Sequence, residues 1–555
     1  MSALPDPDPP HTARPTPQHP SRRPRMPEPR PEHSLVPRPR KVASRPGRFT
    51  LAPDTGIRAY PGAEGAADLL RTLIGPTTGL RLAPSATGRV VLALEPQLSG
   101  LGEEGYGLTI GPDTVLLRAA RPAGLLCGVQ TLRQLLPAEA LSAGARRGGS
   151  WTLPCVEISD VPAHPWRGTM LDVARHFQPV SYLRRYVDLM ALHKLNTLHL
   201  HLTDDQGWRM PIAAYPKLTG IGGHRSQSMA GPPDRVPETF DGVPHSGAYT
   251  TRELRDLVRY AAERGVRVVP EIEMPGHARA ALAAYPELGN DPSRRLGVWT
   301  KWGVCDTVFG VHEGVFDFCR TVLDEVMDVF PSPYIHVGGD ECPTIEWEKS
   351  PAARERAAAE GLPDARALHG WFMGRIGAYV TERGRIPVGW AETGTELPLD
   401  FTVMTWRDPA HARAAARRGH QVVATHYLAT YLDYAESADP GEPLAQPGPP
   451  VDLRTVYGDR SLTDDWDTAD AARLLGTQAQ LWTEYAPTPD RIEYRTYPRL
   501  CALADRAWSG GRDGWPGFLA RLGPHTARLD ALGVRYRPLN PRPLTAAFPG
   551  TAPTS

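Results

Sequence analysis

Two adjacent carboxylates behind two glycines, Asp340 and Glu341 after Gly338 and Gly339, are the residues whose types and spacing imply chemistry most sharply. On an extended strand neighbouring side chains point to opposite faces, so both reach one pocket only where the strand ends and the chain bends. Glycines permit that bend and let a ligand approach the backbone. Two carboxylates held so close do not both ionise easily, so one of them should resist losing its proton. A carboxylic acid kept protonated near neutral pH is what a glycosidic leaving oxygen requires of its proton donor. Elsewhere, apolar runs end in further polar and aromatic residues: Asp172, Arg175 and His176; His199, His201, Asp204 and Asp205; Glu271, Glu273 and His277. Later ones end in Trp390 and Glu392, Trp406, Tyr431 and Asp433, then Trp482 and Glu484. Together they describe a pocket suited to a sugar, since aromatic faces stack on pyranose C–H faces while carboxylates and arginine bind hydroxyls.

The elements that must position these residues alternate strand and helix for over 300 residues beyond residue 160. Strands are expected at 168–174, 196–203, 266–272, 334–339, 386–392, 401–406, 421–427 and 476–482. All are apolar and β-branched, as strands covered on both faces are. Helical patterns lie between them, as at 181–195, 250–265 and 314–330. In the second, Thr250 stands three residues before Glu253, the spacing of a capping box, and Gly265 closes it. Eight such units describe a (β/α)8 TIM barrel, whose catalytic groups come from the C-terminal strand ends. A doubly wound open sheet is the alternative, but no glycine-rich phosphate loop follows the first strand. Residues 45–160 read as a small α+β supporting domain, with strands at 89–96 and 106–119, a turn at Gly111-Pro112-Asp113 and a helix near 122–136.

The runs DVARHFQP (172–179), HLHLTDDQGWR (199–209), PEIEMPGH (270–277) and HVGGDECP (336–343), followed by GW (389–390) and LWTE (481–484), are specific in combination. With them the chain closely resembles the β-N-acetylhexosaminidases of glycoside hydrolase family 20, over roughly residues 45–510. That resemblance implies an exo-acting retaining glycosidase that releases terminal, non-reducing β-linked N-acetylhexosamine. It also implies substrate-assisted catalysis, an exception to the usual pair of flanking carboxylates. The 2-acetamido oxygen would attack C1 to form an oxazolinium intermediate. Glu341 would then be the acid and base, and Asp340 would hold the acetamido N–H. Asp204 and His277 would orient Glu341, and Tyr431 would support the acetamido oxygen. Trp390, Trp406 and Trp482 would wall the acetamido group and stack on the sugar. Arg175 with Glu484 would bind the hydroxyls of the non-reducing end, and Asp433 the region of the C6 hydroxyl. The sequence departs from the family at Glu273, where Asp is frequent, and over 434–470, a Pro-, Gly- and Asp-rich stretch that matches no assigned pattern.

The rest of the chain narrows the alternatives. Sixty-two basic residues balance sixty-two acidic ones among 555, so neither nucleic acid nor an acidic membrane is an expected partner. The partner expected is an oligosaccharide or glycoconjugate carrying a terminal β-N-acetylhexosamine. No apolar run approaches the roughly 20 residues of a membrane span. Residues 1–44 are expected to be a disordered tail, since the first forty contain thirteen prolines and seven arginines. With no apolar secretory segment there, the location expected is cytoplasmic. The barrel is assigned to 161–515 and a C-terminal extension to 516–555. Six cysteines are too few for a disulfide scaffold; Cys305 and Cys319 read as a bridge or, more simply, as two thiols. No cofactor and no metal are expected. One rival is a metal-dependent TIM-barrel hydrolase using His199 and His201, which share one face of a strand. Another keeps the mechanism but takes a disaccharide unit or a 6-substituted amino sugar.

Overall fold

The computed structural model describes residues 33–142, 144, 149–392, 397–462 and 466–539. Its N-terminal part is a six-stranded sheet of β1 (Lys41–Leu51), β2 (Ile57–Ala59), β3 (Val90–Leu94), β4 (Tyr106–Ile110), β5 (Val115–Ala119) and β6 (Trp151–Asp160), in the order β1-β6-β4-β5-β3-β2. Alternate residues of β4 and β5, such as Leu108, Ile110, Val115 and Leu117, are buried. They share a core with α1 (Glu64–Thr78) and α2 (Pro122–Leu135), whose Leu70, Ile74, Leu125, Val129 and Leu132 recur at helical spacing.

Eight parallel strands then close into a barrel: β7 (Trp166–Asp172), β8 (Thr197–His201), β9 (Arg267–Glu271), β10 (Tyr334–His336), β11 (Ile386–Ala391), β12 (Thr402–Thr405), β13 (Gln421–Ala424) and β14 (Leu474–Leu481). All eight expected strands are present, each a residue or more shorter at its C-terminal end, where the functional loops begin. The segment expected to end at Tyr427 stops at Ala424, and Tyr427 opens a short helical turn. Register matters for the site. Asp172 pairs with His201, His201 with Glu271, and Glu271 with His336, so four polar residues form one row at the C-terminal rim.

Between strands run α3 (Val180–Leu192), α4 (Thr251–Ala262), α5 (Glu313–Val329), α6 (Leu368–Glu382) and α7 (Pro409–Arg418); α8 (Arg499–Ser509) and α9 (Gly514–Ala531) follow β14. Both halves of the Thr250/Glu253 capping box form at the start of α4. Apolar residues of these helices, such as Leu183, Val187, Leu254, Val322 and Phe372, pack with outward-facing strand residues such as Leu198 and Leu200 into the main core. The six cysteines are free, and Cys305 and Cys319 are buried thiols.

The expected tail is corrected in part. Residues 1–32 and 540–555 lie outside the described residues, but residues 33–44 belong to the folded body. Leu35 and Val36 are buried, and β1 begins at Lys41. Composition missed this because the contacts come from the far end of the chain. Arg521 of α9 donates to the Leu35 carbonyl, and Arg528 donates to the carbonyls of Ser34 and Gln134. The start of the expected C-terminal extension is therefore a packed helix.

Candidate active site

β10 ends at His336, and the chain turns at Gly338 (φ +67°) and Gly339 (φ +101°). A Cβ on Gly338 would fall 1.8 Å from Glu273 Oε2, and one on Gly339 would fall 2.6 Å from Met373 Cε. Only glycine fits this bend, and the bend delivers Asp340 and Glu341 to one cavity. The two differ in setting. The side chain of Glu341 is 32% exposed, with Oε2 3.8 Å from His277 Nε2 and Oε1 3.7 Å from Arg407 Nη2. Asp340 Oδ1 is sealed from solvent without a partner. Burial, reinforced by Glu341 and Glu271 and opposed by His277, pushes the Asp340 carboxyl up to about 7. A raised member of the pair was expected to be the proton donor; Asp340, the carboxyl turned into the protein, is raised.

Behind Glu341 stands a relay. His277 Nδ1 lies 3.2 Å from Asp204 Oδ1 and 3.2 Å from Asp205 Oδ2, so Asp205 joins the expected Asp204–His277 pair. Asp204 Oδ2 also meets His201 Nε2 at 2.9 Å and Arg175 Nη2 at 2.8 Å. Burial works against ionisation here, yet Arg175 and His277 hold Asp204 well below the usual carboxylate range. Asp204 in turn keeps the buried His277 protonated.

Deeper in the barrel, Glu271 gathers His201 Nδ1, His199 Nε2 at 3.0 Å, His336 Nδ1 at 2.8 Å and Trp390 Nε1 at 2.7 Å. The ladder row described above turns His336 inward onto Glu271. His201 is clamped between two carboxylates, Glu271 and Asp204, which overcome burial and favour its protonated form.

The cavity above these groups has about 880 Å³ of free space, counting its open mouth. Its walls include Trp406, Tyr431 and Trp482, with Trp406 and Tyr431 stacked at 24° and 6.3 Å between centroids. Trp390 sits a layer lower than expected. It is 2% exposed, packs 6.1 Å from Trp482 and is not among the lining residues. At the inner end lie Arg175, Asp433 and Glu484. Arg175 pairs with Asp204 rather than with Glu484, and its guanidinium lies 4.9 Å over the Trp482 ring. Burial raises Asp433 well above its ordinary value, with Glu484 adding to it, and raises Glu484 against the pull of Arg175. Asp433 Oδ1 is sealed without a partner.

Several other lining residues were not among the expected site residues: Trp302, Val304, Tyr427, Tyr434 and Gln446. Tyr434 and Gln446 come from the unassigned 434–470 stretch, held beside the site by the Gln446 N–H donating to the Asp433 carbonyl. Their loops have no periodicity to betray them. Glu273 was noted as a departure, and it lies under Gly338, raised by burial and by Asp340 and Glu271.

Comparison with known proteins decides the family. The profile described as "Glycosyl hydrolase family 20, catalytic domain" matches residues 164–511, and "Glycosyl hydrolase family 20, domain 2" matches 32–161. The chain belongs to glycoside hydrolase family 20. It is 39% identical over 448 residues to a beta-hexosaminidase of Porphyromonas gingivalis, covering 80% of this chain and 56% of that one. This chain thus spans little more than half of that relative's length. It is 35% identical over 452 residues to a beta-hexosaminidase of Akkermansia muciniphila, covering 78% of this chain and 85% of the relative. Among solved structures it resembles a family 20 exo-β-N-acetylglucosaminidase from Vibrio harveyi in complex with N-acetylglucosamine. That match has a TM-score of 0.79 and 30% identity, over 91% of this chain and 78% of the other.

Proposed function

We propose that the protein is an exo-acting retaining glycoside hydrolase that removes terminal, non-reducing β-linked N-acetylhexosamine from oligosaccharides or glycoconjugates by substrate-assisted catalysis. The observation that carries this reading is the asymmetry of the carboxylate pair. A retaining enzyme with its own nucleophile needs two carboxyl groups facing each other across the sugar, about 5–5.5 Å apart. Asp340 and Glu341 are chain neighbours emerging from one bend, so they approach from one side. Asp340 lines the cavity with Tyr431 and Asp433, one oxygen sealed without a partner, where it suits an amide N–H better than an anomeric carbon.

In this mechanism the sugar enters with its non-reducing end toward Arg175, Asp433 and Glu484. Arg175 and Asp433 are buried there and leave no continuation for a longer chain, which supports release of single residues. Trp406, Tyr431 and Trp482 enclose the acetamido group. Asp340 accepts its N–H, orients the carbonyl oxygen toward C1 and stabilises the positive charge that develops as the oxazolinium ring closes. Glu341, at the mouth, gives its proton to the leaving oxygen and then takes one from the water that opens the ring. His277, charged and tied to Asp204 and Asp205, keeps Glu341 directed at that oxygen.

The test compares hydrolysis of the 4-nitrophenyl β-glycosides of N-acetylglucosamine and of glucose under identical conditions. Strong preference for the acetamido sugar is expected. Comparable rates would mean that a protein nucleophile exists and that Asp340 does not have the role given to it.

A further inference from the structure

Glu392 and Arg407 are part-exposed residues outside the cavity lining and outside the machinery described above, and are joined to the proton donor on two sides. One oxygen of Glu392 accepts the backbone N–H of Glu341 at 3.2 Å, and the other accepts Arg407 Nε at 2.8 Å. Arg407 lies flat on Trp406, with its guanidinium carbon 4.1 Å from the ring centroid, and its Nη2 reaches to 3.7 Å from Glu341 Oε1. The three residues follow the ends of three consecutive strands, β10, β11 and β12. The two oxygens of Glu341 are therefore flanked from opposite sides, by Arg407 and by His277.

Two further facts argue for a purpose beyond stability. Glu341 adopts φ +43°, a left-handed conformation that a residue with a side chain keeps only where its surroundings impose it. The Glu392 carboxylate on its N–H is such an imposition. The Arg407–Glu392 ion pair is also well exposed, with side chains 46% and 34% accessible, and exposed pairs contribute little to folding.

We propose that Arg407 and Glu392 are positioning residues for the proton donor. Glu392 fixes the backbone from which Glu341 projects, and Arg407, braced on Trp406, fixes the direction of its carboxyl toward the leaving oxygen. Their effect falls on bonds whose leaving group needs protonation. The inference rests on the glycosidase reading above.

Its test is the leaving-group dependence of kcat/KM for R407A, R407K and E392Q, on aryl β-glycosides of N-acetylglucosamine from 2,4-dinitrophenyl to phenyl and on the β-1,4-linked disaccharide of N-acetylglucosamine. General-acid assistance is worth roughly 10²–10⁴-fold where the leaving group is poor and little where it is good. R407A and E392Q are expected to lose about tenfold more on the disaccharide than on the dinitrophenyl glycoside, the scale of a slightly misdirected group. R407K should recover part of that difference. Equal loss across the series, or no loss in both variants, would overturn the proposal. Should R407A fail to fold, E392Q decides on the same series, since it keeps an acceptor for the Glu341 N–H while weakening the hold on Arg407. Indifference of the unaltered enzyme to the 2-acetamido group would overturn only the substrate-assisted step, whereas failure of the unaltered enzyme to hydrolyse any of these glycosides would overturn the glycosidase reading and this inference with it; both are read separately because they need no variant.

Discussion

Asp340 is the residue whose environment says most about its role. A carboxyl buried until it ionises only around pH 7 is held ready for a partner that donates to it. An acetamido N–H is such a donor, and its hydrogen bond favours the ionised form. At pH 6 the free protein carries Asp340 mostly protonated. Binding N-acetylglucosamine should pull its acidity below pH 6 and expel the proton. Calorimetry at pH 6 in buffers of different ionisation enthalpy is expected to show release of up to one proton per sugar bound, and none for Asp340→Asn. Proton uptake, or release that persists in the variant, would place the titration elsewhere. The sequence showed the Asp340-Glu341 pair and the rise it should cause, but not which member turns inward. That depends on the backbone angles the chain takes through Gly338, Gly339 and Glu341, and residue types do not encode them.

At the scale of elements, strands deliver the site and loops complete it. The row of Asp172, His201, Glu271 and His336 follows from barrel register, and the bend after β10 follows from two glycines with positive φ. Gly338→Ala should force the bend away from Glu273, since its Cβ would lie 1.8 Å from a buried carboxylate oxygen in a conformation alanine avoids. We expect kcat/KM to fall on the order of 100-fold with the far-ultraviolet circular dichroism unchanged, the scale of about an ångström of misplacement. An unaltered rate would mean that the bend tolerates a side chain and that the glycines have another purpose. The eight strands were legible because burial on both faces leaves an apolar, β-branched imprint on the sequence. Tyr434, Gln446 and Trp302 were not, since loop residues are placed by contacts with distant segments. The inward direction of His336 is hidden for a related reason: position before the glycines says nothing about direction until the neighbouring strand fixes the register.

At the scale of the whole molecule, the small domain is joined to the barrel through buried charge. Asp160, at the end of β6, accepts from Lys194 Nζ at 2.9 Å, Tyr106 Oη at 2.7 Å, Trp508 Nε1 at 2.9 Å and the Arg40 N–H at 2.9 Å. These partners come from the N-terminal segment, the sheet, the loop after α3, and α8, so one carboxylate ties four parts of the chain together. Both Asp160 and Lys194 have side chains at most 1% exposed. Removing the charge from one member of a buried pair leaves the other uncompensated, at a cost of about 3–5 kcal/mol. Asp160→Asn should therefore lower the denaturant midpoint substantially. It should leave kcat within about twofold under native conditions, because Asp160 lies at the opposite end of the barrel from Glu341 and one rigid core separates them. A parallel fall in kcat of folded protein would show that the small domain shapes the site as well as supporting it. An unchanged midpoint would show that the barrel holds its form without this junction.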